Sequence, residues 1–488
     1  MTPRFTIRMI PALVAALVIG CAAGPDYRKP PAPGVDRYTA VPLAAQTEGA
    51  DTQGGAAQRL VAGQDVPERW WTLFGSDALD RIVATALAAN PDVQSADAAL
   101  RAARESAAAQ RGAYLPTIDA QLAPARQKTA PPVASGAASG AGLYTLHTAQ
   151  LNIAYAADVF GATRRQVETA DAQVDVARFQ HQAARLTLEA NVVAAAIQEA
   201  SLRAQLDATT NLVALAGKQL DAARRQRQAG QVGMADVAAQ EAALAQIEAA
   251  LPPLEKQLAQ QRDLLAVLAG RYPSDDIGLR FDFGMLALPA DLPVSLPARL
   301  VERRPDVRAA EAQLHAASAR IGAARAARLP DITLTAALGS AALDAGTLFR
   351  AGTGFWSIAA DLVQPIFHGG ALRHQERATE ALYDQAAAQY RGTVLAAFRD
   401  VADALHAVDA DARALQAALA AEQAAQKSLA IVTRQWELGA AGRPAVLQAQ
   451  QGYQQAAIAL TQARAARHAD TVALFQALGG GWQAEESR

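Results

Sequence analysis

Cysteine is almost missing from this 488-residue chain, and Cys21 is the only one. No disulfide can form within it, and no metal cluster can be built on thiolates. An excess of one charge is missing too. Lys and Arg number 45 against 47 Asp and Glu, so nothing calls for nucleic acid or an acidic ligand. The seven histidines (positions 147, 181, 315, 368, 374, 406 and 468) contain no HExxH or other close metal-ligating pair. His368 and His374, six apart, do not share a helix face. There is no GxSxG elbow and no Gly-rich phosphate loop. The acidic side chains of the helical stretches read as solvated faces and i,i+4 partners. These absences argue against an enzyme, a metal site and a bound cofactor. The apolar run over residues 11–19 is too short to cross a bilayer as a mature helix.

What the chain does contain is repetition. Residues 91–118 realign without a gap on residues 305–332, with fourteen of 28 positions identical. Six matches are alanines, which chance supplies in an Ala-rich chain. Pro91/Pro305, Asp92/Asp306, Val93/Val307, Leu115/Leu329 and Pro116/Pro330 are harder to obtain that way. A second echo pairs Arg225, Gln226, Gly230, Val237 and Leu251 with Arg434, Gln435, Gly439, Val446 and Leu460. A fixed period this long marks a duplicated structural unit.

Each unit runs from a helical stretch ending in Leu-Pro to a short strand, a Gly-rich gap, a second strand and a long helix pair. The strands alternate. Ala149, Leu151, Ile153 and Tyr155 oppose Gln150, Asn152 and Asp158; Ile332, Leu334, Ala336 and Leu338 oppose Thr333 and Thr335; Trp356, Ile358, Ala360 and Leu362 oppose Ser357 and Asp361. Period two puts an oily face opposite a polar one. Taken alone, that fits a half-buried sheet in a soluble domain, the commoner case. It also fits the weak signature of a transmembrane barrel. Four strands, counting a poorer one after Leu115, cannot close a barrel. In lipid the chain would have to pool strands with copies of itself, because an open edge leaves backbone groups unsatisfied.

The N-terminus favours the membrane. Arg4 and Arg8 precede the apolar run, which ends in Val18-Ile19-Gly20-Cys21. That is an export signal, and its ending resembles a bacterial lipobox, in which the Cys becomes the lipidated first residue. Ala22 follows, not the Asp that commonly retains such lipoproteins at the inner membrane, so the expected address is the outer membrane. The expected organisation begins with a signal peptide over 1–20 and a lipid-anchored connector over 21–75. The first repeat, 76–270, carries strands near 115–125 and 146–158. A connector over 271–295 leads to the second repeat, 296–478, with strands near 331–341 and 355–365, and a tail over 479–488. Loops are expected over roughly 126–144 and 341–354, which are rich in Gly, Ser and Ala.

Long helices set the scale. Phe398, Val401, Leu405, Val408, Ala412, Leu415 and Leu419 step alternately by three and four, an a/d seam over nearly three heptads. Leu244, Ile247, Leu251, Leu254, Leu258, Leu265 and Leu268 follow the same rule, with Gln261 the exception. Residues 160–230 and 367–439 contain no proline, and a helix of that length would span about 105 Å. A globular protein has no use for such a length, whereas an object crossing a compartment does. Pro252-Pro253 should kink or break the first return helix.

Trp70-Trp71-Thr72-Leu73-Phe74 with Leu79 and Asn90-Pro91, the start Cys21…Gly24-Pro25-Asp26-Tyr27, and the ending Ala477-Leu478-Gly479-Gly480-Gly481-Trp482 together resemble the lipidated outer membrane factors. These are the TolC-like, NodT-type outlet channels of tripartite efflux pumps of the RND type. The resemblance implies a mostly α fold with a membrane β-barrel portion: a homotrimer with a 12-stranded β-barrel and a long periplasmic α-barrel. It further implies a periplasmic adaptor and an inner-membrane pump as partners, and export of small molecules such as drugs. Cys21 would be lipidated. Leu151, Ile153, Ile332, Leu334, Ile358 and Leu362 would face outer membrane lipid, and Gln150, Asn152, Thr333 and Asp361 the lumen. The turns at Gly230 and Gly439 stand where the family docks its adaptor, although a turn glycine needs no such role.

This chain departs from the family just past the second turn. Where relatives carry inward aspartates it has Ala445 and Gln448, with Arg443 the nearest charge and a positive one if it faces inward. Asp236 keeps an acid at the first turn. A tip gate involving Asp236, Arg443 and Gln448 is the expectation. Only four methionines and no His cluster make a soft-metal path less attractive. Two other readings remain open: an outlet for type I protein secretion, and a lipid-anchored periplasmic adaptor or coiled-coil spacer.

Overall fold

The computed structural model describes residues 22–128 and 143–481. The expected signal peptide and Cys21, residues 129–142, and residues 482–488 lie outside the described residues. In chain order the elements are β1 (Arg59–Ala62), α1 (Asp77–Ala89), α2 (Pro91–Arg111), β2 (Thr117–Lys128), β3 (Leu143–Ala157), α3 (Ala162–Gln228), α4 (Met234–Glu248) and α5 (Leu251–Leu268). There follow β4 (Asp291–Val294), α6 (Pro297–Arg303), α7 (Pro305–Ala326), β5 (Asp331–Ala342), β6 (Gly354–Val363), α8 (Ala371–Glu437) and α9 (Arg443–Ala477).

The duplication holds to the residue. β5 begins and ends 214 positions after β2, and α3 and α8 are each 67 residues long, 209 positions apart. α2 and α7 both start on proline, which suits the first helical position because its missing N–H would be unpaired there anyway. Asn90 caps α2, its side-chain oxygen accepting from the Asp92 amide at 2.9 Å, and its Nδ2 donates to the Leu268 carbonyl.

Contacts divide the chain into two compact units. The first takes residues up to Lys29 with 100–176 and 310–390. Its centre is an antiparallel four-stranded sheet in the order β2-β3-β5-β6. The strands of the first hairpin run further into the expected loop than their composition suggested, to Lys128 and from Leu143. The segment after Cys21 is clamped in this unit. Gly24 crosses Gly322 so closely that a Cβ would overlap its backbone. Asp26 pairs with Arg165 at 2.7 Å, Arg165 with Glu168 at 2.7 Å, and Glu168 with His315 at 2.9 Å. Tyr27 stacks on the His315 ring at 4.3 Å.

The second unit takes residues 30–99, 177–309 and 391–488. The aromatic motif folds into its core: Trp70, Phe74, Leu79 and Phe475 are fully buried, and the Trp71 indole donates to Asp80 at 2.9 Å. Along the α8 seam Val401, Leu405, Val408, Ala412 and Leu415 are buried. Gln261, the exception in the other seam, donates to the Ala195 carbonyl of α3 at 3.0 Å. The return helix is interrupted between α4 and α5, while its counterpart α9 runs 35 residues unbroken. Pro252 and Pro253 carry no N–H, so the carbonyls of Glu248 and Ala249 lose their i+4 donors. Ala249 and Ala250 nevertheless keep right-handed helical dihedrals.

The two connectors are less independent than their composition suggests. β1 pairs in parallel with β4, joining residues 59–62 to 291–294. Residues 47–58 wrap the guanidinium of Arg467, a fully buried α9 side chain. It donates to the Ala56 carbonyl at 2.8 Å and to the Thr47 hydroxyl at 3.1 Å.

Candidate functional site

Register sorts the sheet into two chemically distinct faces. Paired residues in an antiparallel ladder lie on the same face, and each next pair lies on the other. Ile118↔Ile153, Ala120↔Leu151, Tyr155↔Leu334, Leu338↔Trp356, Ala336↔Ile358 and Ile332↔Leu362 are pairs on one face. Leu151, Ile153, Ile332, Leu334, Ile358 and Leu362 all stand there together, with Trp356 and Ile358 72% and 77% exposed. The opposite face carries Asp119↔Asn152, Gln121↔Gln150, Thr333↔Asp361 and Ala337↔Ser357. Gln150 donates to Gln121 at 3.2 Å and to Asn152 at 3.0 Å. One face is a continuous oily surface with no core of its own, and the other is a polar wall.

The two helix turns share one backbone solution. After α3, the Gln231 amide reaches back to the Gln226 carbonyl and Gly230 to Arg227, both at 2.9 Å, with Gly230 at φ +67°. After α8, Ala440 bonds Gln435 at 2.8 Å and Gly439 bonds Trp436 at 3.0 Å, with Gly439 at φ +73°. This paired ending satisfies the last helix carbonyls and needs a residue that tolerates the left-handed region. No atom lies within 4 Å of where a Cβ would stand on either glycine, so backbone conformation, not space, fixes the residue type. Leu438 and Met234 stand exposed beside the turns.

Beyond the turns the repeats diverge. Asp236 caps α4 by accepting from the Gly233 amide at 3.0 Å. Ala445, its counterpart, has no side chain to do so. Arg443 instead bridges the two turns. One of its terminal nitrogens donates to the Asp236 carbonyl at 3.1 Å, and its guanidinium lies 5.1 Å from the Trp436 ring centre. It is only 5% exposed, and that burial pulls its pKa below the usual value. Arg443 is therefore not a free side chain: Trp436, at the end of α8, lies against its guanidinium, and no feature of the sequence pointed to that contact. Gln448 is exposed. The buried amide is Gln450, bonded to Gln219 of α3. Among the described residues no cluster of His, Cys, Asp or Glu could hold a metal, and no helix is long and apolar enough to cross a membrane.

Residues 82–271 and 296–480 match the sequence family described as outer membrane efflux protein, one match per repeat. The chain is 32% identical to the outer membrane protein OprJ of Pseudomonas aeruginosa over 481 residues, covering 97% of this chain and 96% of that protein. It is 30% identical to the toluene efflux pump outer membrane protein TtgF of Pseudomonas putida over 483 residues, covering 95% and 94%. The solved structure of the outer-membrane channel OprN superposes with a TM-score of 0.83 at 26% identity, covering 95% of this chain and all of that one. With its duplicated helix pairs and two-faced sheet, the chain belongs to the outer membrane efflux protein family: it is a TolC-like protomer of the homotrimeric outer membrane duct through which a periplasmic adaptor and an inner-membrane pump discharge their cargo.

Proposed function

We propose that this duct passes small organic molecules delivered by an RND-type pump and performs no chemistry on them. The observation that carries the reading is the sorting of the sheet by register, with a polar wall for the aqueous path behind an oily face for lipid. Leu151, Ile153, Ile332, Leu334, Ile358 and Leu362 are its lipid-facing residues, and Gln150, Asn152, Thr333 and Asp361 line the lumen. Lipid on Cys21 adds a second anchor, consistent with the clamp that fixes Gly24, Asp26 and Tyr27. The turns at Gly230 and Gly439, with exposed Met234 and Leu438, receive the adaptor. Relatives named for toluene, antibiotic and pyoverdine export support small molecules as cargo.

The closed tip is held within each protomer by Arg443 on Asp236 and Trp436. Gln448 faces the pore where relatives present an acid. A ring of carboxylates around a narrow pore concentrates negative potential and binds cations, so this tip should be weakly cation-selective and weakly blocked by divalent cations. Expression with its adaptor and pump in cells lacking their own duct should restore dye efflux. Failure there, together with rescue of protein secretion, would overturn the small-molecule reading. In planar bilayers Gln448→Asp should strengthen divalent block from the tip side; no change would remove Gln448 from the pore.

A further inference from the structure

Within one chain the two repeats meet where β3 lies against β5. Ala157 pairs with Ile332. Just beyond the strand ends, Val159 and Phe160 line a cavity of about 440 Å³ together with Ala326, Leu329 and Pro330. Val159, Phe160 and Leu329 are each half-buried there. The same pieces occur once more with nothing against them. β6 and β2 each have a single partner. Phe367 leaves β6 as Phe160 leaves β3, and Leu115 precedes β2 as Leu329 precedes β5. Phe367 is 85% exposed, its neighbour Ile366 88%, and Leu115 68%. Ile366 and Phe367 are the most exposed large apolar side chains among the described residues.

We infer that the junction between copies repeats the junction inside the chain, residue for residue. Shifting β3 onto β6 by the Phe160–Phe367 spacing, and β5 onto β2 by the repeat spacing, converts the observed β3–β5 ladder into a ladder between copies. β6 of one copy then pairs antiparallel with β2 of the next. Leu362 meets the neighbouring copy's Ala120, Ala360 its Leu122 and Ile358 its Pro124. On the other face Asp361 meets Gln121, Ala359 meets Ala123 and Ser357 meets Ala125. Ile366 and Phe367 seat against the neighbour's Tyr114, Leu115 and Pro116.

A one-residue error in either shift would set the oily face of β6 beside the polar face of β2. The derived register instead keeps the two faces in step from Leu362 and Ala120 to Ser357 and Ala125, and beyond that stretch, near the start of β6, Trp356 meets Arg126. It also pairs the open backbone of both edge strands, which a membrane demands. The inference rests on the homotrimer reading but adds the register and the seat of Phe367.

Cysteine pairs in the full-length protein in its membrane test it. Ala359→Cys with Ala123→Cys should oxidise to dimers and trimers on a denaturing, non-reducing gel. The equivalent pair inside the chain, Asn152→Cys with Ala337→Cys, is already matched in register. It should oxidise without a ladder and so sets the attainable yield. The slipped pair Ala359→Cys with Ala125→Cys should give roughly tenfold less ladder, because diagonal neighbours stand about 7–8 Å apart and a disulfide needs Cβ atoms near 4 Å. Each single variant serves as a blank that accounts for Cys21. Ser357→Cys with Ala125→Cys provides a second matched pair. Amine crosslinking of the same samples reports the trimer independently. Trimers without a ladder from either matched pair, or a stronger ladder from the slipped one, overturn the register. Absence of trimers under both chemistries overturns the homotrimer itself.

Discussion

Ile358 and Ser357 are neighbours in β6 that stand on opposite faces, paired with Ala336 and Ala337 of β5. Ile358 is the fifth residue of a ten-residue strand, close to the middle of the crossing. Arginine at a lipid-facing midplane position costs about 2–4 kcal/mol, while a lumen position tolerates it nearly freely. Ile358→Arg should therefore destabilise each protomer by about 2–4 kcal/mol, equivalent to roughly 30-fold to 900-fold in its folding equilibrium. Because the trimer carries the change three times, the assembled duct should lose about 6–12 kcal/mol. Ser357→Arg should stay within about 1 kcal/mol of the parent. Urea titration of the folded trimer in lipid vesicles reads both. Equal costs at the two positions would show that the oily face does not meet lipid, and the sorting of the sheet by register would then need another explanation.

Arg467 is held by the Ala56 carbonyl, the Thr47 hydroxyl and three longer contacts, and among the described residues no carboxylate pairs with it. Removing a buried charge returns some desolvation energy, yet the orphaned acceptors cost about 1–3 kcal/mol each. Arg467→Met should thus lose about 2–4 kcal/mol net, and Arg467→Lys nearly as much because it lacks the fork; proteolysis of residues 47–58 is the readout, and a protected Lys variant would show that charge alone suffices. Burial and the facing Asp470 push the Asp411 carboxyl up to about 7, against a weaker pull from Arg467. Burial likewise raises Glu189 to about 7, opposed by Arg185. A raised carboxyl holds its proton in the folded state, so that stability is present at low pH and is lost as pH climbs toward and through 7. Melting temperature should fall between pH 5 and pH 8, and Asp411→Asn with Glu189→Gln should flatten the profile; an unchanged slope would refute both assignments. Gly481 sits at φ +64° where a Cβ would overlap the Pro67 carbonyl. Gly481→Ala should lower the melting temperature clearly, whereas Gly439→Asn should be mild because nothing crowds that turn.

Much of the architecture was legible because it obeys short periods. The alternation of Leu151, Ile153 and Leu334 needs no partner to be seen, and the register only sorts what the pattern already separated. The turn glycines were legible because two distant copies of Arg-Gln…Gly agree. What stayed hidden depends on residues far apart in sequence. The expected connector over 21–75 has no periodicity to announce a contact, yet its Gln58 and Thr47 are buried against an arginine more than 400 positions away. In sequence Arg443 is simply the charge nearest Ala445 and Gln448. Only the fold brings Trp436 under it and the Asp236 carbonyl against it. The triple glycine could have been a mere helix stop, but Gly481 passes so close to the Pro67 backbone that it has no room for a side chain, and Gly480 lies against the Leu186 side chain.

The tie between Gln58 and Thr471, 413 residues apart, dictates an order of events during biogenesis. A chain that emerges from its N-terminus first presents residues 47–58 long before α9 exists to receive them. Closing so large a loop costs about 5 kcal/mol of chain entropy before any contact repays it. Until residues 464–481 arrive, Trp70 and Phe74 stand in the periplasm without Phe475, the ring that packs against both. Nascent protomers should therefore depend on holding chaperones for nearly the whole of their export, and the last stretch to be delivered is the one that releases them.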